Sequence, residues 1–254
     1  MVIEYEKRDR LAVLTLNRPE ARNAVNGELA NRMEELLDDY ESDPDLWTAI
    51  LTANGPAFCA GADLKEIAAG RGNELGTRKG GFAGLVRRER TKPLIAAVTG
   101  SALAGGTEIA LSCDMIVCAE DTVFGLPEVK RSLVAAAGGL FRLPRAIGIA
   151  PALEVIMTGD PLPAERAHQL GMVNKVVPAD QVMAEATALA ERVMANAPLA
   201  VVASRTVAIR AFLDDDDTLF RASRDEFAEV AKTEDYREGP KAFIEKRPPE
   251  WKGR

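Results

Sequence analysis

Gly100-Ser101-Ala102-Leu103-Ala104-Gly105-Gly106-Thr107-Glu108 is the stretch on which the reading of this chain turns. It follows the short apolar run Pro93–Thr99, which has the character of a buried strand. Its glycines make a turn, and a helix opens from about Gly105 and runs to Ser112. Backbone N–H groups at a helix start carry partial positive charge and attract a developing anion. A second glutamate, Glu128, follows Phe124-Gly125-Leu126-Pro127, a Gly-x-Pro bend that can aim a side chain into a cleft. A second glycine-containing stretch, Ala57-Phe58-Cys59-Ala60-Gly61-Ala62-Asp63-Leu64-Lys65-Glu66, can supply another backbone donor. Such donors reach an oxyanion only where nothing bulky blocks the approach, as at Gly105-Gly106 and Gly61-Ala62. A hole of this kind would polarise an ester or thioester carbonyl, acidify its α-carbon and make its β-carbon electrophilic. Two carboxylates could then exchange protons with water and with the α-carbon. A glutamate in a first helical turn can equally be only a partner for the helix dipole.

Val2–Glu6 and Leu11–Leu16 read as a β-hairpin joined by Lys7-Arg8-Asp9-Arg10. Leu29, Met33, Leu36, Leu37 and Tyr40 recur at helical spacing and predict a helix over Gly27–Glu41. Trp47–Thr52 and Met115–Cys118 read as strands, and residues 67–82, with their glycines and mixed charges, as a mobile loop. Beyond Gly138 only Val173–Val177 looks extended. Helices are expected over Ala179–Ala195, Leu199–Phe212 and Thr218–Lys232, the last capped by Asp214–Asp217, with another near Lys241–Arg247. The pattern divides the chain into an α/β core, residues 1–195, and a helical C-terminal region, residues 196–254.

At 254 residues with 47% hydrophobic and 28% charged side chains, the chain can bury a substantial core. Aromatics are only 5%, so that core is built of Ala, Val, Leu and Ile. A net charge of -7 lacks the basic face that nucleic-acid binding requires. The start of the chain is charged within four residues and no run of about 20 apolar residues exists, so no signal peptide and no membrane span are expected. Cys59, Cys113 and Cys118 are an odd set without metal-ligand spacing, read as reduced thiols of a cytoplasmic protein. His168 is the only histidine and is read as structural. Its isolation, and the lack of a Gly-x-Ser-x-Gly elbow, argue against a serine hydrolase. No phosphate-loop, dinucleotide or metal-binding spacing is present.

The chain resembles the crotonase (enoyl-CoA hydratase/isomerase) superfamily, and its bacterial enoyl-CoA hydratases most of all. The matching segments are Leu16–Ala24, Ala57–Glu66, Gly100–Glu108, Cys113-Asp114, Phe124–Glu128, Gly138-Gly139 with Arg142–Arg145, Ala164–Val177 and Phe243–Arg247. The resemblance implies a ClpP-like spiral of ββα units with a helical C-terminal trimerisation region. It implies an acyl-CoA thioester as substrate, no cofactor and no metal, and a homotrimer or dimer of trimers. The N–H groups of Ala62 and Gly105 would form the oxyanion hole. Glu108 would activate water and Glu128 would give a proton to the α-carbon of a trans-2-enoyl thioester. Arg22, Ala24, Ala60, Asp63, Leu64 and Lys65 would lie along CoA, with Phe243 and Lys246 reaching a neighbouring subunit's CoA. One departure bears on acyl preference. Where many hydratases carry Pro-Gly-Ala-Gly-Gly, this chain has Val134-Ala135-Ala136-Ala137-Gly138-Gly139. A carnitinyl-CoA-type dehydratase, with a similar Leu-Val-Ala run, and a non-catalytic acyl-CoA-binding paralogue are the alternatives.

Overall fold

A computed structural model describes all of residues 1–254. The chain opens with the hairpin β1 (Ile3–Arg8) and β2 (Leu11–Leu16). It continues through α1 (Gly27–Ser42), β3 (Thr48–Ala53), β4 (Ala57–Cys59) and α2 (Leu64–Ala68). The two-residue strands β5 (Gly76–Thr77) and β6 (Gly81–Phe82) form a small hairpin. Next come β7 (Leu94–Val98), β8 (Ser101–Leu103), α3 (Gly105–Ser112), β9 (Met115–Ala119) and β10 (Val123–Gly125). The remainder is α4 (Gly139–Ile147), α5 (Ile149–Thr158), β11 (Leu162–Pro163), α6 (Ala164–Gln169), β12 (Lys175–Val177), α7 (Val182–Met194), α8 (Pro198–Ala208), α9 (Asp216–Val230) and α10 (Glu234–Glu245).

Two sheets stack along a spiral. The larger has the order β1-β2-β3-β7-β9-β12, parallel except for the opening hairpin. The smaller has the order β11-β10-β8-β4, parallel except for β11. Each turn of chain gives one strand to each sheet: β3 then β4, β7 then β8, β9 then β10. Alternation within strands explains the layering. In β2, β3, β7 and β9, the side chains Ala12, Leu14, Leu51, Leu94, Ala96 and Cys118 enter the main core. Their neighbours Leu11, Val13, Ile50, Ile95, Ala97 and Val117 enter a second core on the other face. There α7 covers the sheet with Val182, Ala186 and Ala190, and alanines allow that helix to lie close. A parallel sheet is covered on both faces for this reason, and its strands read as continuous apolar runs.

The structure differs from the sequence expectations in several places. Lys7 and Arg8 belong to β1, and only Asp9-Arg10 turn the hairpin. The expected Gly100–Gly106 turn contains β8, a strand too short to show a period. Residues 67–82 include a 3-10 turn (Gly72–Leu75) and the β5–β6 hairpin, tied to α1 because Glu34 Oε2 accepts from Gly80 N–H at 2.8 Å and from the Thr77 hydroxyl. The last helix begins at Glu234 under a Thr233 cap, well before the expected start. Asp215 caps α9 as expected, its side chain accepting from Thr218 N–H at 2.9 Å.

Candidate active site

Two loop ends meet to build the site. Gly61 has φ +93°, and a Cβ there would fall 3.0 Å from Gly105 N and 2.9 Å from Ala104 Cβ. Close approach of the two backbones therefore demands glycine at 61. Val25 N–H donates to Gly61 O at 2.8 Å and Asp63 N–H donates to Val25 O at 2.9 Å. These bonds flank Ala62 and face Val25, so the Ala62 N–H is directed the opposite way, toward the cleft. Gly105 is the first residue of α3, whose N–H has no partner within the helix. Its cap, Ala104, holds φ 52° and ψ -125°, a strained conformation for a residue with a side chain. The Phe82 ring lies against Gly105, where a Cβ would come within 2.5 Å of it.

Glu108, one turn into α3, is only 3% exposed. Its Oε1 accepts from Gly139 N–H at 2.9 Å. Gly139 packs tightly here: a Cβ there would lie 2.9 Å from the Leu126 side chain and 3.2 Å from Glu108 Cγ, so these side chains would have to shift. Burial pushes the Glu108 carboxyl up to about 7; the Gly139 N–H opposes the rise, the charge of Glu128 adds to it, and Arg142 also opposes it. Glu128 lies in the 3-10 turn Pro127–Arg131 directly after β10. Burial raises its pKa too, with its own backbone N–H and Arg131 opposing. Glu128 Oε2 is buried and meets no donor or acceptor within the protein. Thr107 ties the two glutamates' elements together: its hydroxyl lies 2.6 Å from Ala102 O and accepts from Gly125 N–H at 2.9 Å.

A cleft of about 1260 Å³ gathers these groups. Ala62, Gly105, Glu108 and Glu128 line it, and so do Arg22, Ala24, Ala60, Asp63, Leu64 and Lys65. Arg22 and Asn23 are both left-handed, at φ 52° and 53°, which turns that loop onto the cleft. The Arg22 carbonyl then accepts from Ala60 N–H at 3.0 Å. The Asp63 side chain is already engaged, capping α2 through Lys65 N–H at 3.1 Å and pairing with Arg18 at 3.1 Å. Phe243 and Lys246 are not on this cleft; they lie at the end of α10, with Phe243 85% exposed. His168 is exposed on α6 and bonds Val173 O through Nδ1 at 2.8 Å, a structural contact.

Several contributors were not singled out from sequence. Arg18 braces Asp63, Gly139 supplies the N–H that holds Glu108, and Phe82 closes over Gly105. Arg142 donates to Val86 O at 2.6 Å and to Ala137 O at 3.3 Å, fixing the wall from which Gly139 projects. The adjacent Gly138-Gly139 pair was the available signal for that wall.

The enoyl-CoA hydratase/isomerase family model matches residues 6–254. The crystal structure of an enoyl-CoA hydratase from Mycobacterium marinum superposes with a TM-score of 0.96 at 45% identity, covering 100% of this chain and 99% of that one. A mevalonyl-coenzyme A hydratase of Aspergillus fumigatus is 39% identical over 95% of this chain and 91% of its own length. A carnitinyl-CoA dehydratase of Proteus mirabilis is 39% identical over 95% of this chain and 94% of its own. No helix of the structure is long and apolar enough to cross a membrane. With its two stacked parallel sheets, its C-terminal helices and a family match over almost its whole length, the chain belongs to the enoyl-CoA hydratase/isomerase family, the crotonase superfamily, whose members act on acyl-CoA thioesters.

Proposed function

We propose that this chain adds water reversibly across the double bond of a trans-2-enoyl-CoA. One observation carries the reading: the buried Glu108 and the half-buried Glu128, both with raised pKa, share a cleft with two unpartnered backbone N–H groups. The thioester oxygen accepts from Ala62 and Gly105, and charge developing on it is stabilised by donors already in place. A carboxyl with a pKa near 7 is a workable base at neutral pH, so Glu108 takes a proton from the water that attacks the β-carbon. Glu128, whose pKa burial also raises, delivers a proton to the α-carbon through its unengaged Oε2. Coenzyme A enters as part of the substrate, along Arg22, Ala24, Ala60, Asp63, Leu64 and Lys65. No cofactor or metal takes part.

Run in reverse, the same groups dehydrate a 3-hydroxyacyl-CoA. That second reading is favoured by the relatives, which include a hydratase of mevalonyl-CoA and a dehydratase of carnitinyl-CoA. The α8–α10 region is proposed to build a homotrimer or a dimer of trimers in which Phe243 and Lys246 approach a neighbour's CoA.

The test follows loss of enoyl-thioester absorbance over trans-2-enoyl-CoAs of increasing length, with Glu108→Gln and Glu128→Gln alongside. Each variant is expected to lose roughly 10²- to 10⁴-fold in kcat. Tight binding of acyl-CoA without turnover of enoyl or hydroxyacyl thioesters would instead mean a binding paralogue.

A further inference from the structure

The cleft is lined by two exposed arginines to which the hydration reading gives no role. Arg87 and Arg131 both line it, and neither has an ion-pair or side-chain hydrogen-bond partner within the chain. The Arg87 stem lies across Gly81, where a Cβ would come 2.7 Å from its Cγ. That places it beside Phe82, the ring that closes over Gly105. Arg131 ends the 3-10 turn that presents Glu128, and its charge is felt there. Both arginines thus adjoin elements that present Phe82 and Glu128, the residues set against the reacting part of the substrate in the proposed reaction. Arg22 and Lys65 lie instead with Ala60 and Leu64, the residues along CoA in the reading above. The walls also offer Leu75, Val86, Leu103 and Leu133 to a short carbon chain.

The protein as a whole carries a charge of -7, so an anionic tail is repelled unless a local cation compensates. Guanidinium groups match a carboxylate with paired donors, gain nothing from an alkyl tail and repel a quaternary ammonium. We propose that the acyl group processed here ends in a carboxylate, received by Arg87 and Arg131. The proposal rests on the hydratase–dehydratase reading and goes beyond it by naming the tail.

The experiment compares kcat/KM for three trans-2-enoyl-CoAs of equal chain length, bearing a terminal methyl, carboxylate or trimethylammonium group. Wild type, Arg87→Gln and Arg131→Gln are each assayed, and circular dichroism verifies folding. The ratio between substrates is the readout, because Arg131 adjoins Glu128 and its loss affects every turnover. Wild type is expected to favour the carboxylate over the methyl by about tenfold, the scale of one charge-assisted hydrogen bond, with the cation poorest. Each variant is expected to narrow the carboxylate-to-methyl ratio, and added salt to narrow it in wild type. An equal loss for all three substrates, matched by weaker binding of free CoA, would assign the arginines to the CoA phosphates and overturn the proposal. A wild-type preference for the methyl or cationic tail would overturn it while leaving hydration intact. No turnover of any of the three, forward or from the hydrated thioesters, would remove the reading beneath it as well.

Discussion

Glu108 shows what a buried carboxyl costs the fold. Its pKa stands at about 7, raised from the ordinary 4.5, so the folded state binds a proton more tightly than the unfolded chain does. The stability contributed by that proton is fully present below pH 4.5 and is lost as pH rises through about 7. The rise corresponds to about 3 kcal/mol as an upper bound. Glu108→Gln, though far less active, is therefore expected to be more stable than wild type at pH 8, with the difference vanishing near pH 4.5, as urea denaturation would show. A variant less stable at both pH values would contradict the assignment. Arg142 acts on the same group from α4, while Glu128 opposes it from the Pro127–Arg131 turn and Gly139 N–H holds Oε1. Removing the Arg142 charge is expected to move the acidic limb of kcat/KM to higher pH, and Arg142→Lys to move it back. A limb that stays in place in Arg142→Ala would limit the residue to a packing role. The glutamates and the glycine turns were legible because they lie within a few residues of each other. Gly139 and Arg142 entered only through the family resemblance, and their link to Glu108 was not legible, since a contact across 31 residues leaves no local pattern.

Among the elements, α8 owes its place to one carboxylate. Asp114, at the entry to β9, accepts from Arg90 at 3.1 Å, from Arg205 of α8 at 2.9 Å and from Leu94 N–H at 2.8 Å. Burial alone would raise its pKa, but Arg90 and Arg205 hold it below the usual carboxylate range. Asp114→Ala leaves two guanidinium groups with little solvent and no counter-charge. A loss of about 3–5 kcal/mol in unfolding free energy is expected, with faster hydrogen exchange throughout α8. A thermal midpoint within a degree or two of wild type would dismiss this network as a support. Long amphipathic helices such as α1 were plain in the sequence because six apolar positions repeat along them. The three-residue strands β4, β8, β10 and β12 were mostly missed, because so few residues cannot display a period. Their strand character comes from neighbours in the sheet.

At the scale of the whole molecule, the C-terminal helices and the turn between α8 and α9 leave Phe212, Phe220, Phe227, Phe243 and Ile244 more than half exposed. Sedimentation is expected to give roughly 82 or 164 kDa, three or six times the 27.3 kDa chain. Phe243→Glu should weaken that assembly and raise KM for every CoA thioester together. A monomer as active as the assembly would refute the neighbour's role in the site. The α/β class and the helical C-terminal region were readable from element order, whereas the split of each spiral turn between two sheets was not. That split has a geometric consequence. Cys59 pairs with Ala102 across β4 and β8, and Phe124 pairs with Ala102 across β10 and β8. Ala62, Gly105 and Pro127 each lie three residues beyond these paired positions, in three successive coils. Adjacent strands lie about 4.8 Å apart. An oxygen about 2.9 Å from donors on two such neighbours would see them at roughly 110°, close to the spread of carbonyl lone pairs. The third coil offers proline, which has no N–H to give. In the proposed reaction, the rung spacing of an ordinary sheet would thus gauge the grip on the thioester oxygen, and the row of donors would stop at two.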